Sequence, residues 1–369
     1  MFIGIPKEIK NHEYRVGATP NMVKQLVRDG HRVVVEGGAG AHIGFTDDLY
    51  ISAGAQIVSG PADVYAADMI IKVKEPQASE FPLLRKGQII YGYLHLAPDP
   101  VQTEALVGAG VVGIAYETVT DNKGGSPLLR PMSEIAGRMA IQVGAYFLQM
   151  GGGGRGVLLG GVPGVAPGKV VVIGGGISGT HAARMAVGLG ADVTVLDTNI
   201  DRLRELDDLF GPALKTLYSS PVHIEEQILQ ADLVIGAVLV RGKKAPKLVT
   251  AAQVSRMKKG AVVVDIAIDQ GGCFETSRMT THTDPIYIVD GVVHYCVGNM
   301  PGGCARSATE ALTNATSHYA RIIARDGWKQ ALKDDANLCN GLNVCLGSVT
   351  SSEVAEDLGY TYKNAREFL

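Results

Sequence analysis

The residues 169–180 read Lys169-Val170-Val171-Val172-Ile173-Gly174-Gly175-Gly176-Ile177-Ser178-Gly179-Thr180, an apolar strand, a Gly-x-Gly-x-x-Gly turn and the start of a helix. Each glycine has a physical task in binding a dinucleotide. Gly174 makes the tight turn, Gly176 lets a pyrophosphate approach the backbone, and Gly179 lets the helix pack on the strand. The pyrophosphate then rests on a helix N-terminus, where free N–H groups and the helix dipole favour anions. An acidic residue, Asp197, ends the next apolar run, 23 positions after Gly174. A carboxylate at about that spacing accepts hydrogen bonds from the ribose of NAD and repels the extra phosphate of NADP. Arg202, five residues further on, could soften that exclusion or stack on the adenine. The motif therefore predicts NAD as cofactor, with Gly174, Gly176, Ser178, Gly179, Asp197 and Arg202 as candidate contacts.

Four other polar residues stand where chemistry could occur. Lys74 closes the run Met69-Ile70-Ile71-Lys72-Val73-Lys74, His95 follows the run ending at Tyr93, and Asp269 follows Val264-Asp265-Ile266-Ala267-Ile268. Arg15 lies early in the chain, in Tyr14-Arg15-Val16. Singly, each has a plain reading: a core histidine, a solvated lysine, an Asx turn, a surface arginine. Beside a dinucleotide motif they fit a dehydrogenase. Histidine transfers protons near neutral pH, and lysine or arginine can hold a carboxylate.

The elements that must position these groups alternate between β-branched runs and helical patterns. The runs at 32–35, 69–73, 88–91, 111–116, 169–173, 192–196, 233–238 and 261–266 are apolar on both faces, as buried parallel strands are. Helical patterns fall at 20–29, 132–150, 179–189 and 305–332. Alternation of this kind predicts an α/β fold. The order of units also recurs. Gly30-His31-Arg32-Val33-Val34-Val35 parallels Gly190-Ala191-Asp192-Val193-Thr194-Val195, Ala67-Asp68-Met69-Ile70 parallels Ala231-Asp232-Leu233-Val234, and Lys86-Gly87-Gln88-Ile89 parallels Lys259-Gly260-Ala261-Val262. Two Rossmann-like doubly wound domains with a cleft between them follow. The first is discontinuous, 1–128 with 306–369, and carries the substrate groups; 129–305 is the NAD-binding domain. On this correspondence His95 and Asp269 occupy equivalent strand ends, where ligands of open α/β sheets bind, and would meet at the nicotinamide. The other glycine-rich stretch, Gly37-Gly38-Ala39-Gly40, lacks a following helix pattern and reads as a loop.

Composition narrows the class. With 369 residues, 46% of them hydrophobic and 19% charged, the chain is long and apolar enough to bury a core, and disorder is excluded. Its 34 basic and 37 acidic residues leave no basic footprint for nucleic acid. No apolar run approaches the roughly 20 residues of a membrane span, and the N-terminus lacks the apolar core of a secretory signal. Five cysteines without a Cys-x-x-Cys pair fit a reducing cytoplasm. The histidines have no metal-ligand spacing, so no metal is expected, and no Gly-x-Ser-x-Gly or Walker A pattern occurs.

Long, compositionally unusual strings then identify a resemblance. They include Gly4-Ile5-Pro6-Lys7-Glu8, Lys72-Val73-Lys74-Glu75-Pro76, Tyr93-Leu94-His95-Leu96-Ala97, Pro131-Met132-Ser133-Glu134-Ile135-Ala136-Gly137-Arg138, Asp265-Ile266-Ala267-Ile268-Asp269-Gln270-Gly271-Gly272 and Asn299-Met300-Pro301-Gly302. Over nearly its whole length the chain resembles the alanine dehydrogenases, a family that shares its architecture with the NAD-binding component of proton-translocating transhydrogenase. The resemblance implies reversible, NAD-dependent oxidative deamination of L-alanine to pyruvate and ammonia in a cytoplasmic homohexamer, with no nucleic-acid or membrane partner. It implies that Arg15 and Lys74 hold the substrate, that His95 is the acid/base and that Asp269 assists proton handling. It also places Ser133, Ser219, Val238, Leu239 and Ile266 around the cofactor, with Asp269, Arg278, Val297, Asn299 and Met300. Arg15, Lys74 and His95 together favour the dehydrogenase over the transhydrogenase component. The chain departs from the usual pattern at Gly17-Ala18, at Arg241 and in Pro301-Gly302-Gly303-Cys304-Ala305-Arg306.

Overall fold

The computed structural model describes residues 1–238 and 244–369. The chain forms two compact units, Met1–Met132 with Cys304–Leu369 and Ser133–Gly303. The strands of the first are β1 (Phe2–Ile5), β2 (Arg32–Glu36), β3 (Gln56–Val58), β4 (Met69–Ile71), β5 (Ile89–Gly92) and β6 (Val112–Ala115). Those of the second are β7 (Lys169–Ile173), β8 (Asp192–Asp197), β9 (Lys215–Tyr218), β10 (Leu233–Gly236), β11 (Val262–Asp265), β12 (Ile286–Val289) and β13 (Val292–Tyr295). The C-terminal stretch adds β14 (Leu342–Cys345) and β15 (Ser348–Val349).

The first sheet runs β15-β14-β6-β5-β4-β1-β2-β3 and the second β12-β13-β11-β10-β7-β8-β9. Strands β1 to β6 pair in parallel. So do β7 to β11 and β13. Counted within each unit, both parallel cores have the order 3-2-1-4-5-6 of a doubly wound sheet. Antiparallel strands extend one edge of each: β14 on β6, and β12 on β13. The residue correspondence seen in the sequence falls on strands in equivalent positions: β2 with β8, β4 with β10, β5 with β11. It extends to side chains. Asp68 accepts the amide of Phe2 at 3.0 Å, and Asp232 accepts the amide of Lys169, the equivalent first-strand residue, at 2.9 Å.

The central strands are buried on both faces, β4, β5, β6, β10 and β11 along their full length. This is why they read as continuous apolar runs. Helix α1 (Pro20–Arg28) starts where the Thr19 side chain accepts the Met22 amide and Pro20 presets the first turn; it buries Met22, Val23 and Leu26. Helix α2 (Arg130–Phe147) carries the chain across the unit boundary. Helices α3 (Ile177–Gly188) and α4 (Ile200–Phe210) follow β7 and β8. The single helical pattern at 305–332 is two helices, α5 (Ala305–Asp326) and α6 (Trp328–Asp334), separated at Gly327 with φ +77°. A residue in that backbone region breaks the i to i−4 ladder, and glycine adopts it without strain.

Candidate active site

The carboxyl edge of the second sheet collects most of the predicted cofactor contacts. Gly174 has φ +100°, and a Cβ there would stand 2.8 Å from the Ala237 carbonyl oxygen. A Cβ on Gly179 would stand 1.8 Å from the Gly174 carbonyl oxygen, whereas one on Gly176 would meet only open space. The motif thus divides as its spacing suggests: a turn, an open approach and a tight helix–strand contact. The N-cap of α3 is Gly176, which offers no side chain to the first amides of the helix. Those amides are available to an anion. Asp197 closes β8 with Oδ2 accepting the Gly175 amide at 2.7 Å and Oδ1 accepting the Asn199 amide at 2.8 Å. Its carboxylate is therefore fixed against the glycine turn, where a ribose would lie. Arg202 braces the same turn: Nε donates to the Gly175 carbonyl at 2.6 Å, Nη2 donates to the Thr180 hydroxyl at 2.5 Å, and Nη1 pairs with Glu205. Its guanidinium is engaged with the loop and its neighbours.

Other predicted contacts follow the remaining strands of the edge. Ser219 follows β9 and donates its amide to the Asp197 carbonyl at 3.0 Å. Val238 follows β10 and packs beside Gly174. Ile266 follows β11, and Val297 follows β13 in a bridge to Thr280. Ser133 lies on α2. At Gly137 that helix passes so close to α3 that a Cβ would fall 2.1 Å from the Ser178 carbonyl oxygen. Arg278 holds its guanidinium 4.0 Å over the Tyr287 ring. Asp269 is exposed on a 3-10 helix, Ile266–Gln270. Its Oδ1 accepts the amide of Asn299, which has φ +51° and precedes the buried Met300. Leu239 and Arg241 lie outside the described residues.

In the first unit the substrate candidates sit beyond β1, β4 and β5. Arg15 is buried, with Nε and Nη2 donating to the two Glu13 carboxylate oxygens at 2.7 and 2.6 Å and Nη1 3.0 Å from the Met132 sulfur. Burial works against its charge, and Glu13 outweighs burial and raises its pKa. Lys74 is half-buried nearby; burial first and the Arg15 charge second lower its pKa. Glu8 joins the ends of β1 and β4: its Oε1 accepts the amides of Val73 and Lys74 at 2.7 and 3.2 Å, and its Oε2 lies 3.2 Å from the buried Lys72 ammonium. The departure at Gly17 has a reason here. A Cβ would stand 2.3 Å from the Ile71 carbonyl oxygen, so glycine lets the Arg15 segment lie against the end of β4.

His95 sits three residues past β5 with φ +45°. Its ring stacks on Tyr93 at 5.7 Å between centroids and 7° between planes. Nδ1 is 3.7 Å from Glu117 Oε1, and the same oxygen accepts the His95 amide at 2.6 Å. Tyr93 donates to the Leu128 carbonyl at 2.7 Å. Burial pushes its phenol up, Arg15 acts in the opposite sense and Glu117 adds to the rise. Arg15, Lys74 and His95 are thus grouped in the first unit, while Asp269 belongs to the second.

Sequence reasoning missed Glu8, Glu13, Tyr93 and Glu117. Three of them had a signal. Glu8 lies in the recognised Gly4–Glu8 string, and Glu13 precedes the arginine it binds by two positions. Glu117 follows β6 by two residues, in the same strand-end position that singled out Lys74 and His95.

Known proteins are similar to this chain along nearly its whole length. The family model for the N-terminal domain of alanine dehydrogenase/PNT matches residues 4–136, and that for the C-terminal domain matches residues 140–352. An alanine dehydrogenase of Bacillus subtilis is 55% identical over 370 aligned positions, covering 100% of this chain and 98% of the relative. A solved L-alanine dehydrogenase superposes with a TM-score of 0.95 at 51% identity, over 97% of this chain and 99% of the other. A transhydrogenase from Sinorhizobium meliloti superposes with a TM-score of 0.82 at 26% identity, over 95% and 99%.

Proposed function

The chain belongs to the alanine dehydrogenase/PNT family, and from that premise we propose that it is an L-alanine dehydrogenase. It converts L-alanine, NAD and water reversibly to pyruvate, ammonium and NADH with release of a proton. The observation that carries this reading is the pair of cations Arg15 and Lys74, whose charges act on each other, in the unit that also holds His95. Among the described residues the Lys74 side chain makes no hydrogen bond. A partly buried ammonium in that state is suited to a carboxylate. A protein that only passes hydride between two dinucleotides has no use for such a pair.

The residues at the edge of the second sheet fit a dinucleotide: the open space at Gly176, the uncapped start of α3 and the Asp197 carboxylate. When bound, NAD supplies the hydride acceptor and NADH the donor. The rest is the work of this chain. Arg15, fixed by Glu13, and Lys74 hold the substrate carboxylate with their charges. This orients the α-carbon and its hydrogen. As the amine becomes an iminium, His95 takes a proton from the attacking water. Its Nδ1 lies 3.7 Å from Glu117 Oε1, and an imidazole exchanges protons near neutral pH. The same ring returns the proton when ammonia departs from the carbinolamine. Asp269 assists proton movement through its carboxylate. On this reading the enzyme works in the cytoplasm as a homohexamer. Among the described residues no helix is long and apolar enough to cross a membrane.

The test follows NADH absorbance with purified protein, first with pyruvate and ammonium, then with L-alanine and NAD. Oxidation in the first and reduction in the second are the expected results. Hydride exchange between two dinucleotides, with no response to alanine or pyruvate, would overturn the reading in favour of a transhydrogenase component.

A further inference from the structure

We propose that Asp265 is a positioning residue for Asp269, holding the turn that carries it; the inference rests on the role given to Asp269 above. Asp265 is the last residue of β11 and is 2% exposed. Its Oδ1 accepts the Ala267 amide at 3.1 Å, which caps the 3-10 helix carrying Ile266 and Asp269. Its Oδ2 accepts the Cys273 amide at 2.9 Å and the Ser277 hydroxyl at 2.6 Å. One carboxylate therefore ties the beginning, the return and the far end of the loop from Ile266 to Ser277. Arg278 is the next residue, so both functional flanks of the loop hang from this one group.

Glycines make the room. A Cβ on Gly272, where φ is +76°, would fall 2.5 Å from Asp265 Oδ2, and a Cβ on Gly236 would fall 2.9 Å from Oδ1. The carboxylate occupies space that two residues without side chains leave open. Among the described residues no lysine, arginine or histidine pairs with it within 4.0 Å. An uncompensated buried carboxylate is a costly way to close a loop, and burial raises its pKa despite the Ser277 and amide hydrogen bonds. Donors from Ala267, Cys273 and Ser277 converging on it make the turn stiff, and stiffness is what a group acting on a reacting carbon needs. A shift of about 1 Å in such a group costs up to about a hundredfold in rate.

The experiment measures kcat and KM for L-alanine and NAD with the full enzyme bearing Asp265→Asn, Asp269→Asn and both changes. Asp265→Asn is expected to lower kcat about tenfold to a hundredfold and to change KM for NAD much less. In the Asp269→Asn background it is expected to add nothing, because both changes act through one group. Losses that multiply in the double variant, or full kcat in Asp265→Asn, would overturn the proposal. Full turnover in Asp269→Asn alone would instead overturn the role of Asp269 on which it rests. If Asp265→Asn does not fold, Ser277→Ala removes the 2.6 Å hydrogen bond to Asp265 together with the weak 3.8 Å contact from Cys296 Sγ. It should then show a smaller fall in kcat that likewise vanishes in the Asp269→Asn background, and persistence of that fall would contradict the proposal.

Discussion

Glu117 holds His95 twice: its Oε1 accepts the His95 amide at 2.6 Å and lies 3.7 Å from Nδ1 of the same residue. It also accepts the Leu94 amide, at 3.1 Å. This grip coincides with a left-handed backbone at His95, a conformation that costs a residue with a side chain about 1–2 kcal/mol. Strain of this kind persists where surrounding contacts impose it. Glu117 and the Tyr93 ring impose it here and aim the imidazole.

Replacing Glu117 by Gln keeps an acceptor for the two amides and removes the charge facing Nδ1. The expected result is a fall in kcat/KM for L-alanine of about tenfold, smaller than the ~100-fold or greater loss of an acid/base. Thermal stability should change little. Steady-state kinetics beside an unfolding curve checks both.

Lys74 gives a pH dependence. Burial, then Arg15, holds its ammonium below the ordinary value of 10.5. Between the lowered value and 10.5 the unfolded chain binds more protons than the folded one, so this group makes stability rise with pH across that window. Binding runs the other way, because a carboxylate substrate needs the ammonium. The kcat/KM for pyruvate at saturating ammonia should fall with a midpoint below 10.5, and Lys74→Arg should lack that limb because arginine stays protonated. An identical limb in the arginine variant would assign the titration to another group.

Gly137→Ala puts a methyl group 2.1 Å from the Ser178 carbonyl oxygen. Backbone must move, and α3 with its pyrophosphate-binding start must move with it. Overpacking of this kind costs about 1–3 kcal/mol. A lower unfolding temperature together with a raised KM for NAD is expected; a raised KM for alanine alone would contradict it.

Asp197→Ala removes the carboxylate that accepts the Gly175 and Asn199 amides. NADP should gain on NAD in the ratio of kcat/KM values by roughly tenfold, as repulsion of the extra phosphate is lost. An unchanged ratio would mean that Asp197 does not face the ribose.

The sheets were legible where strands are buried on both faces. Leu233–Gly236 and Val262–Asp265 are uniformly apolar up to their ends, and their pairing partners are apolar too. Strands β1, β3, β9 and β12 to β15 were not read: Gln56–Val58 has three residues, Lys215–Tyr218 lies half exposed at an edge, and the buried Phe2–Ile5, Val292–Tyr295 and Leu342–Cys345 are interrupted by Gly4, His294 and Asn343. Neither length nor periodicity marks such strands. In the candidate site, the glycine motif and Asp197 were readable because dinucleotide chemistry fixes their spacing. The pairing of Glu117 with His95 was not, because it spans 22 positions and depends on β5 and β6 being neighbours. Pairing across strands is tertiary information that neither residue carries alone.

Proton transfer is assigned to His95 in the first unit, and dinucleotide binding to the edge of the second sheet, a separation of tasks between the two units. Turnover and NADH affinity of His95→Ala, measured on one preparation by absorbance and calorimetry, test that separation most directly. Turnover should fall by about 10²–10⁴ while the Kd for NADH stays within a few-fold of the unaltered enzyme. Full turnover would remove His95 from the mechanism, and loss of NADH binding in parallel with turnover would contradict the division of labour between the two units.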